Sequence, residues 1–275
     1  MPAYELRLAA PLAGFFALFF LAPLAILFYV SLQNGAGLDL SHYARFLFDP
    51  FSLGVLGRTL MLGAEVTALC LLLGFPLAWV YVRGPGWLRP VLMLAVLLPL
   101  LTSVVVRTFA WIVILGRQGI VNSALLSLGL TDTPLRLLYT EGGVAVALAQ
   151  VQMPLMVLPL ITALSRIDTN LDDASLALGA GAWRGFWRIT LPLSLPGIVA
   201  GGLLTYAAAI TAFITQSLVG GGQMLFMPMY IYQQATALQN WPFAAAISIV
   251  FLAAVLAVVS VFNALGRLSR TNADA

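Results

Sequence analysis

The chain has 275 residues, of which 61% are hydrophobic and only 8% are charged, with a formal net charge of +3. So few polar residues cannot cover a water-soluble globule of this length, and the composition predicts a membrane protein. All 13 basic residues are arginine, so the phosphate-loop lysine of an ATPase is missing and the chain is not predicted to hydrolyse ATP.

Six apolar runs have the length of about 20 residues that crosses roughly 30 Å of hydrocarbon. They cover residues 8–32, 59–82, 90–115, 142–164, 196–219 and 243–265. The first run is too long for the core of a secretory signal and is predicted to be a retained helix. Because no domain boundary is evident, residues 1–275 are predicted to form one all-α transmembrane domain of six helices.

The arginine residues between these runs are distributed unevenly. Six spans place eight of them on one side of the membrane, namely Arg7, Arg83, Arg89, Arg166, Arg184, Arg188, Arg267 and Arg270. Four lie on the other side: Arg45, Arg58, Arg117 and Arg136. The positive-inside rule therefore predicts that both termini and the loop at 166–195 are cytoplasmic. The net charge follows from this bias and does not indicate nucleic-acid binding.

Two ionisable residues, Glu65 and Arg107, lie inside the second and third runs. Such groups are costly in hydrocarbon and usually face protein or water. Both would lie about 9 to 12 Å below the same end of their helices, at 1.5 Å per residue, so they are able to meet. Three interpretations are open: a fixed ion pair that braces two helices, contact with a transported solute, or placement at the lipid interface.

The single cysteine and single histidine limit the chemistry of the chain. Cys70 and His42 can form neither a disulfide, a thiolate cluster, a zinc motif nor a Ser-His pair. Neither a metal site nor catalytic residues are predicted. Cys70 is interpreted as a small buried apolar side chain.

The loops at 33–58 and 116–141, on the predicted outer side, are long enough to hold short interfacial helices. They can equally be plain connections between spans.

The loop at 166–195 is a polar, helix-competent segment. Residues 169–172 fit a capping box, so a helix is predicted to start near Asn170. Gly179 and Gly181 predict its end.

A second short helix is predicted from about Trp183 to Thr190, with Pro192 and Pro196 limiting its continuation into the fifth span. This helix is apolar and carries two arginines, which suits insertion into the groove of a partner protein. Its tryptophans would also suit lipid headgroups.

The spacing from Asp173 to Pro192 resembles the EAA loop of permease subunits of binding-protein-dependent ABC importers. That pattern is roughly Glu-Ala-Ala, three residues, Gly, nine residues, Ile, one residue, Leu-Pro. Here Asp173 stands for Glu and Ser175 for the second Ala, whereas Gly179, Ile189, Leu191 and Pro192 fall at the expected spacing.

The resemblance implies a type I ABC importer (MetI-like) permease fold, in which this cytoplasmic loop, called the EAA-type loop (166–195) below, docks into a groove of the ATPase subunit. The coupling residues that it implies are Asp172, Asp173, Ala174, Ser175, Gly179, Ala180, Trp183, Arg184, Phe186, Arg188, Leu191 and Pro192.

Other segments are similar to the polyamine branch of that family, the relatives of spermidine and putrescine permeases. They are Asn122, residues 128–130, 133–134, 138–140, 154–160 and 191–198, Gly201 and residues 218–221. The resemblance implies a bacterial inner-membrane protein in a heterodimer with a second permease, two ATPase subunits that bind ATP and Mg, and a periplasmic binding protein. No cofactor is implied for this chain.

Polar residues in the fourth and fifth runs suggest a path for the solute. Thr205, Ala209, Ala212 and Gln216 fall on one face of a predicted helix and form a small polar stripe that suits a water-filled path. Hydroxyl groups can also be satisfied within their own helix. The candidate pathway residues are Glu65, Arg107, Gln150, Gln152, Thr205, Tyr206, Thr211, Thr215 and Gln216.

The sequence therefore predicts a permease subunit that forms half of the translocation pathway of an ATP-driven importer for a small polar organic solute. Polyamine-type relatives tend to have an aromatic pair after the third-span proline, whereas residues 99–103 here read Pro-Leu-Leu-Thr-Ser. A polyamine-like, another amine, a zwitterionic or an anionic solute thus remains open. The alternative is a self-contained secondary transporter or channel, which would not need a docking helix.

Overall fold

The computed structural model describes residues 11–12, 14–35, 37–168, 170–177 and 179–271. Within these ranges, six helices are long and apolar enough to cross a membrane, as predicted. The chain forms two compact units. The smaller unit comprises Met1–Leu56 and Tyr230–Val255, and the larger unit comprises Gly57–Met229 and Leu256–Ala275.

The secondary structure is almost entirely helical. The helices in chain order are α1 (Ala22–Ser31), α2 (Ser41–Phe48), α3 (Pro50–Arg83), α4 (Leu88–Leu101), α5 (Val104–Leu115), α6 (Ile120–Ser127), α7 (Glu141–Leu164), α8 (Asn170–Ala177), α9 (Ala182–Gly185), α10 (Leu191–Ile210), α11 (Phe213–Gly220), α12 (Met227–Tyr232) and α13 (Trp241–Thr271). Three π-helical turns lie at Ala17–Leu21, Phe186–Thr190 and Gln233–Ala237. The strands β1 (Gln33–Asn34) and β2 (Gly37–Leu38) form one small antiparallel hairpin.

Helix α7, the fourth span, is the centre of the larger unit. It packs against α4, α5, α10 and α11, and its contact with α10 is the most extensive. The core includes Cys70, whose fully buried thiol donates a hydrogen bond to the carbonyl of Ala149 (3.2 Å). The interpretation of Cys70 as a buried small side chain is thus confirmed.

The second span begins earlier than the apolar run predicts, at Pro50 instead of residue 59. Proline suits the first turn of a helix, where its missing N–H has no partner to lose. The Asp49 carboxylate accepts hydrogen bonds from the backbone N–H and the hydroxyl of Ser52 (3.0 and 2.6 Å). These bonds satisfy the helix start and lower the pKa of Asp49.

The third span is not the single helix predicted over 90–115. The predicted run forms α4 and α5, which are separated by an extended backbone at Thr102 and Ser103. The segment that is long enough to cross a membrane here is Val104–Ser127, which contains α5 and α6, whereas α4 is a shorter apolar helix. Pro99 lies in the last turn of α4, and its carbonyl accepts a hydrogen bond from the Thr102 hydroxyl (3.0 Å). The Thr102 hydroxyl thus competes with the main chain for a carbonyl at the end of α4, which favours an end of the helix here.

The fifth span also differs from its prediction, at both ends. Pro192 and Pro196 do not limit the helix as predicted: residues Trp183–Ile210 form one continuous helical segment that includes both prolines. The π turn Phe186–Thr190 ends two residues before Pro192, so the missing proline N–H falls where the hydrogen-bond ladder already changes. The helix breaks instead at Thr211 and Ala212, and α11 follows.

In the smaller unit, the hairpin is closed by Asp39, whose carboxylate accepts hydrogen bonds from the Ser41 hydroxyl (2.5 Å) and the Asn34 amide (2.8 Å). These bonds lower the pKa of Asp39 to about 2. Two contacts tie the chain segments of this unit together. Arg45 lies over the Phe243 ring at 4.4 Å, and the Ser52 hydroxyl is 3.0 Å from that of Tyr230.

The predicted loop at 116–141 contains the short helix α6, so this segment has structure of its own. Asn122 is fully buried and fixes the loop. Its amide nitrogen donates to the carbonyls of Gly116 and Leu135 (both 3.0 Å), and its amide oxygen accepts from the Leu135 N–H (2.8 Å).

Replacing Asn122 with leucine is expected to lower the free energy of unfolding by about 1 to 3 kcal/mol, because it leaves buried backbone groups without partners. Thermal unfolding of the purified protein in detergent measures the change. Ser127→Ala, which removes only an exposed local bond within α6, is the control. Equal stability of both variants would show that the Asn122 bonds contribute nothing.

Candidate functional site

The first half of the EAA-type loop is a short helix closed by glycine. Helix α8 starts at Asn170, as predicted, and ends before Gly179, which has φ +78°. The Ala180 N–H donates to the Ser175 carbonyl (2.9 Å), which is the six-to-one bond of a Schellman cap. Only glycine adopts this left-handed conformation without strain, so the fixed glycine of the pattern has a structural cause.

The start of α8 is held by Asp168, whose carboxylate accepts from the Asn170 N–H (2.9 Å). Thr169 lies outside the described residues, as do the side chains of Asp172 and Asp173. The predicted capping box and the roles of those two carboxylates therefore stay predictions.

The second half of the loop packs back onto the first. Ser175 is only 9% exposed, and a Cβ atom on Gly185 would lie 3.3 Å from its hydroxyl. A larger side chain at either position would push α8 and α9 apart. This explains why a small residue occupies the position of the second alanine in the pattern.

One surface of the loop is exposed and aromatic as well as basic. Trp183 and Trp187 are 73% and 51% exposed, and Arg184 and Arg188 are exposed beside them. Phe186 instead turns inward and is half-buried. The loop thus has an outward face fit for a partner protein and an inward face that contacts the rest of the chain.

Replacing Gly179 with alanine is expected to cost about 1 to 2 kcal/mol of local stability through backbone strain alone, because the space around it is open. We expect this variant to show faster amide hydrogen exchange across residues 170–190. We also expect fewer ATPase subunits to be recovered when the permease is purified. Gly181→Ala is the matched control, since Gly181 also has open space but no positive φ. If the two variants exchange alike, the cap at Gly179 does not order the loop.

A cavity of about 540 Å³ in the larger unit is lined by two acidic residues, Glu65 of α3 and Glu141 of α7. Its other walls are aliphatic. Ionisable groups within a span usually face protein or water, so we expect the same of this side of α3 and α7.

The ion pair between Glu65 and Arg107, one of the three predicted alternatives, is not formed. Within the described residues, two guanidinium nitrogens of Arg107, Nε and Nη1, are buried without a hydrogen-bond partner. Counting residues along each helix gives the depth of the two groups, but it does not give the direction in which each side chain points, so an equal depth does not ensure a contact.

A second cavity of about 330 Å³ adjoins the first and shares Leu69 and Val146 with it. Its polar lining comes from Gln150, a predicted pathway residue, and Trp111. The indole N–H of Trp111 donates to the Gln150 amide oxygen (3.2 Å). This bond orients the indole ring and the amide along the cavity wall.

The predicted polar stripe of the fifth span is mostly buried. Thr205 and Gln216 have no exposed surface, and Tyr206 and Thr215 have 3% and 1%. The Gln216 amide nitrogen donates to the Ala209 carbonyl (2.8 Å) and so closes the end of α10.

The hydroxyl of Thr215 lies 3.2 Å from that of Thr108. Thr211 is exposed and Gln152 is half-buried. A role in the solute pathway stays a prediction for all of these candidate residues of the fourth and fifth spans.

Sequence reasoning missed two residues of this site. Glu141 was placed in a loop because it precedes the apolar run, yet it opens α7 and lines the cavity with Glu65. Trp111 was not singled out because one tryptophan in an apolar run carries no pattern. The sequence signal for Glu141 is Thr140, a residue type that favours a helix start, and its hydroxyl indeed accepts a hydrogen bond from the Gly143 N–H (3.2 Å).

Comparison with known proteins identifies a family of membrane transport components and several similar permeases. The family model described as binding-protein-dependent transport system inner membrane component matches residues 70–270. The spermidine/putrescine transport system permease protein PotB of Salmonella typhimurium (strain SL1344) is 37% identical over 210 residues, which are 76% of this chain and 73% of that protein. PotB of Escherichia coli (strain K12) is 36% identical over 210 residues, covering 76% of each chain.

A solved structure shows the same fold. The crystal structure of a bacterial alginate ABC transporter in complex with alginate pentasaccharide-bound periplasmic protein contains a chain that matches with a TM-score of 0.77. The sequence identity is 20%, and the match covers 96% of this chain and 94% of that chain.

Proposed function

The chain belongs to the family of binding-protein-dependent transport system inner membrane components, and from that premise we propose that the solute it imports is a small organic cation. The chain is a permease subunit of an ABC importer, and separate subunits hydrolyse the ATP. Within the importer, this subunit provides part of the path by which the solute crosses the membrane.

The observation that supports a cationic cargo is the cavity lined by Glu65 and Glu141. Two carboxylates with aliphatic walls between them complement a solute that carries ammonium groups on a methylene chain. Arg107 does not neutralise Glu65, so the negative charge of the cavity is available to a cation. The curated relatives named above are described as spermidine/putrescine permeases, which fits the same solute class.

The assembly that we propose has this permease in a heterodimer with a second permease, two ATPase subunits that bind ATP and Mg, and a periplasmic binding protein. Both termini and the EAA-type loop lie on the cytoplasmic side, in agreement with the arginine distribution. The exposed aromatic and basic face of the loop docks into a groove of an ATPase subunit. Reporter fusions at the two termini test the orientation.

The cargo is tested in two steps. Thermal shift of the cognate binding protein with diamines, triamines, amino acids and dicarboxylates is expected to show stabilisation by an amine only. Uptake of that amine is then measured with the complete importer in proteoliposomes, with ATP inside. Stabilisation by a dicarboxylate alone would overturn the cation proposal.

The same proteoliposomes separate an importer from a self-contained transporter. Permease alone, or importer without ATP, is expected to give no uptake under an imposed ion gradient. Uptake under those conditions would favour the secondary transporter.

A further inference from the structure

Phe186 lies at the centre of an aromatic cluster that joins the EAA-type loop to the second span. Its ring centroid is 5.6 Å from that of Phe75 and 6.3 Å from that of Trp79, both on α3, with near-perpendicular planes. On its other side it contacts Trp183 at 5.9 Å and Trp187 at 5.5 Å. The Trp187 ring is also near-perpendicular to that of Phe186, whereas the Trp183 ring is stacked on it at 17°. Both arrangements are attractive between aromatic rings.

The loop therefore holds two membrane helices in two different ways. It continues directly into α10, the fifth span, through the π turn Phe186–Thr190. It is not continuous with α3, but the rings of Phe75 and Trp79 give it a side-chain link to that helix. Loss of the Phe186 ring would weaken this link to α3 and leave the covalent continuity of the loop with α10 intact.

Helix α3 extends this link toward the acidic cavity. Gly63 lies 12 residues before Phe75, or about 18 Å at 1.5 Å per residue. At Gly63 the helix packs so closely on Tyr206 and Ile210 of α10 that a Cβ atom would overlap both side chains. Glu65 follows two residues later. Thus α3 contacts α10 closely at Gly63, and about 18 Å further along α3 it contacts the segment leading into α10 through Phe186. Glu65 lies beside the contact at Gly63.

We propose that Phe186 is the positioning residue through which movement of the EAA-type loop is passed to the second span, so that α3 and α10 move as one body during transport. The proposal rests on the docking of this loop onto an ATPase subunit. Trp183 and Trp187 form the outward, docking side of the cluster, and Phe186 forms its inward, transmitting side. Substitutions on the inward side are therefore expected to lower transport per ATP, whereas substitutions on the outward side are expected to weaken binding of the ATPase subunits.

The complete importer in proteoliposomes tests this division. Phe186→Ala is expected to retain the ATPase subunits on purification and to retain ATP hydrolysis, while the number of solute molecules imported per ATP falls roughly tenfold. Phe186→Tyr, which keeps the ring, is expected to restore most of that ratio. Trp183→Ala is expected to lower recovery of the ATPase subunits instead.

A double-mutant cycle tests whether Phe75 is the residue through which Phe186 acts. Phe75→Ala should reduce import per ATP as Phe186→Ala does, and the double variant should be no worse than either single one. Additive losses, an unchanged ratio in Phe186→Ala, or loss of the ATPase subunits from Phe186→Ala would each overturn the proposal. If Phe186→Ala does not fold, Phe186→Leu, which keeps the apolar volume, replaces it in the cycle with the same expectations. Failure of docking in every loop variant would count against the proposed function, whereas intact docking and intact coupling would count only against the role of Phe186.

Discussion

Replacing Glu65 or Glu141 with glutamine is expected to lower the uptake of an organic cation by about tenfold to a hundredfold. Glutamine keeps the size of the side chain and removes the charge, so the loss reports the interaction of a carboxylate with an ammonium group. The double variant is expected to lose more than either single one, because a solute with two ammonium groups uses both carboxylates. Binding of the solute to the periplasmic protein should not change.

The measurement is the rate of solute uptake at constant ATP in proteoliposomes that hold the complete importer. Asp132→Asn is the control, since Asp132 is exposed and lies outside the cavity. Wild-type uptake in the double variant would mean that the two carboxylates have no part in the path. An equal loss for Asp132→Asn would mean that overall charge, and not the cavity, determines the rate.

The number of spans and the end of helix α8 could be predicted from the sequence because each depends on local physical chemistry. A run of about 20 apolar residues suits hydrocarbon wherever it folds. A glycine at the end of a polar helix predicts a left-handed cap, and Gly179 adopts one.

The breaks in the third and fifth spans could not be predicted from hydropathy. Thr102, Thr211 and Ala212 are compatible with a membrane helix, so the hydropathy does not change where the backbone leaves the helix. At Thr102 the side-chain hydroxyl bonds the Pro99 carbonyl, and such local bonds compete with the helix without changing the hydropathy.

The partner of Glu65 could not be predicted because it depends on the rotation of two helices. Counting residues placed Glu65 and Arg107 at one depth, but depth does not fix the direction in which a side chain points. Packing of α3 on α7 places Glu65 in a cavity with Glu141. A charged residue in a predicted span therefore marks a site, and the structure is needed to name its neighbours.

Replacing Gly197 with alanine is expected to lower the free energy of unfolding by about 1 to 3 kcal/mol through overpacking. A Cβ atom at this position would lie 2.5 Å from the Ala163 Cβ atom and 2.8 Å from the Pro159 carbonyl oxygen. Helix α10 therefore lies directly against the backbone of α7, and the backbone oxygen cannot turn away as a side chain would. The contact joins the helix that continues the EAA-type loop to the helix that carries Glu141, so import should fall together with stability.

Gly202→Ala is the matched control on the same helix. Its Cβ atom would meet the Phe262 ring at 3.4 Å and the Thr67 methyl group at 3.7 Å, which are ordinary packing distances. Alanine is favoured over glycine in a helix by roughly 0.5 to 1 kcal/mol. The two substitutions are thus chemically identical, five residues apart, and expected to change stability in opposite directions. Thermal unfolding in detergent compares them, and a stabilised Gly197→Ala would show that the close contact between α10 and α7 does not exist in solution. A destabilised Gly202→Ala would instead indicate that α10 tolerates no added methyl group on either side, so that the loss at Gly197 would not identify its contact with α7.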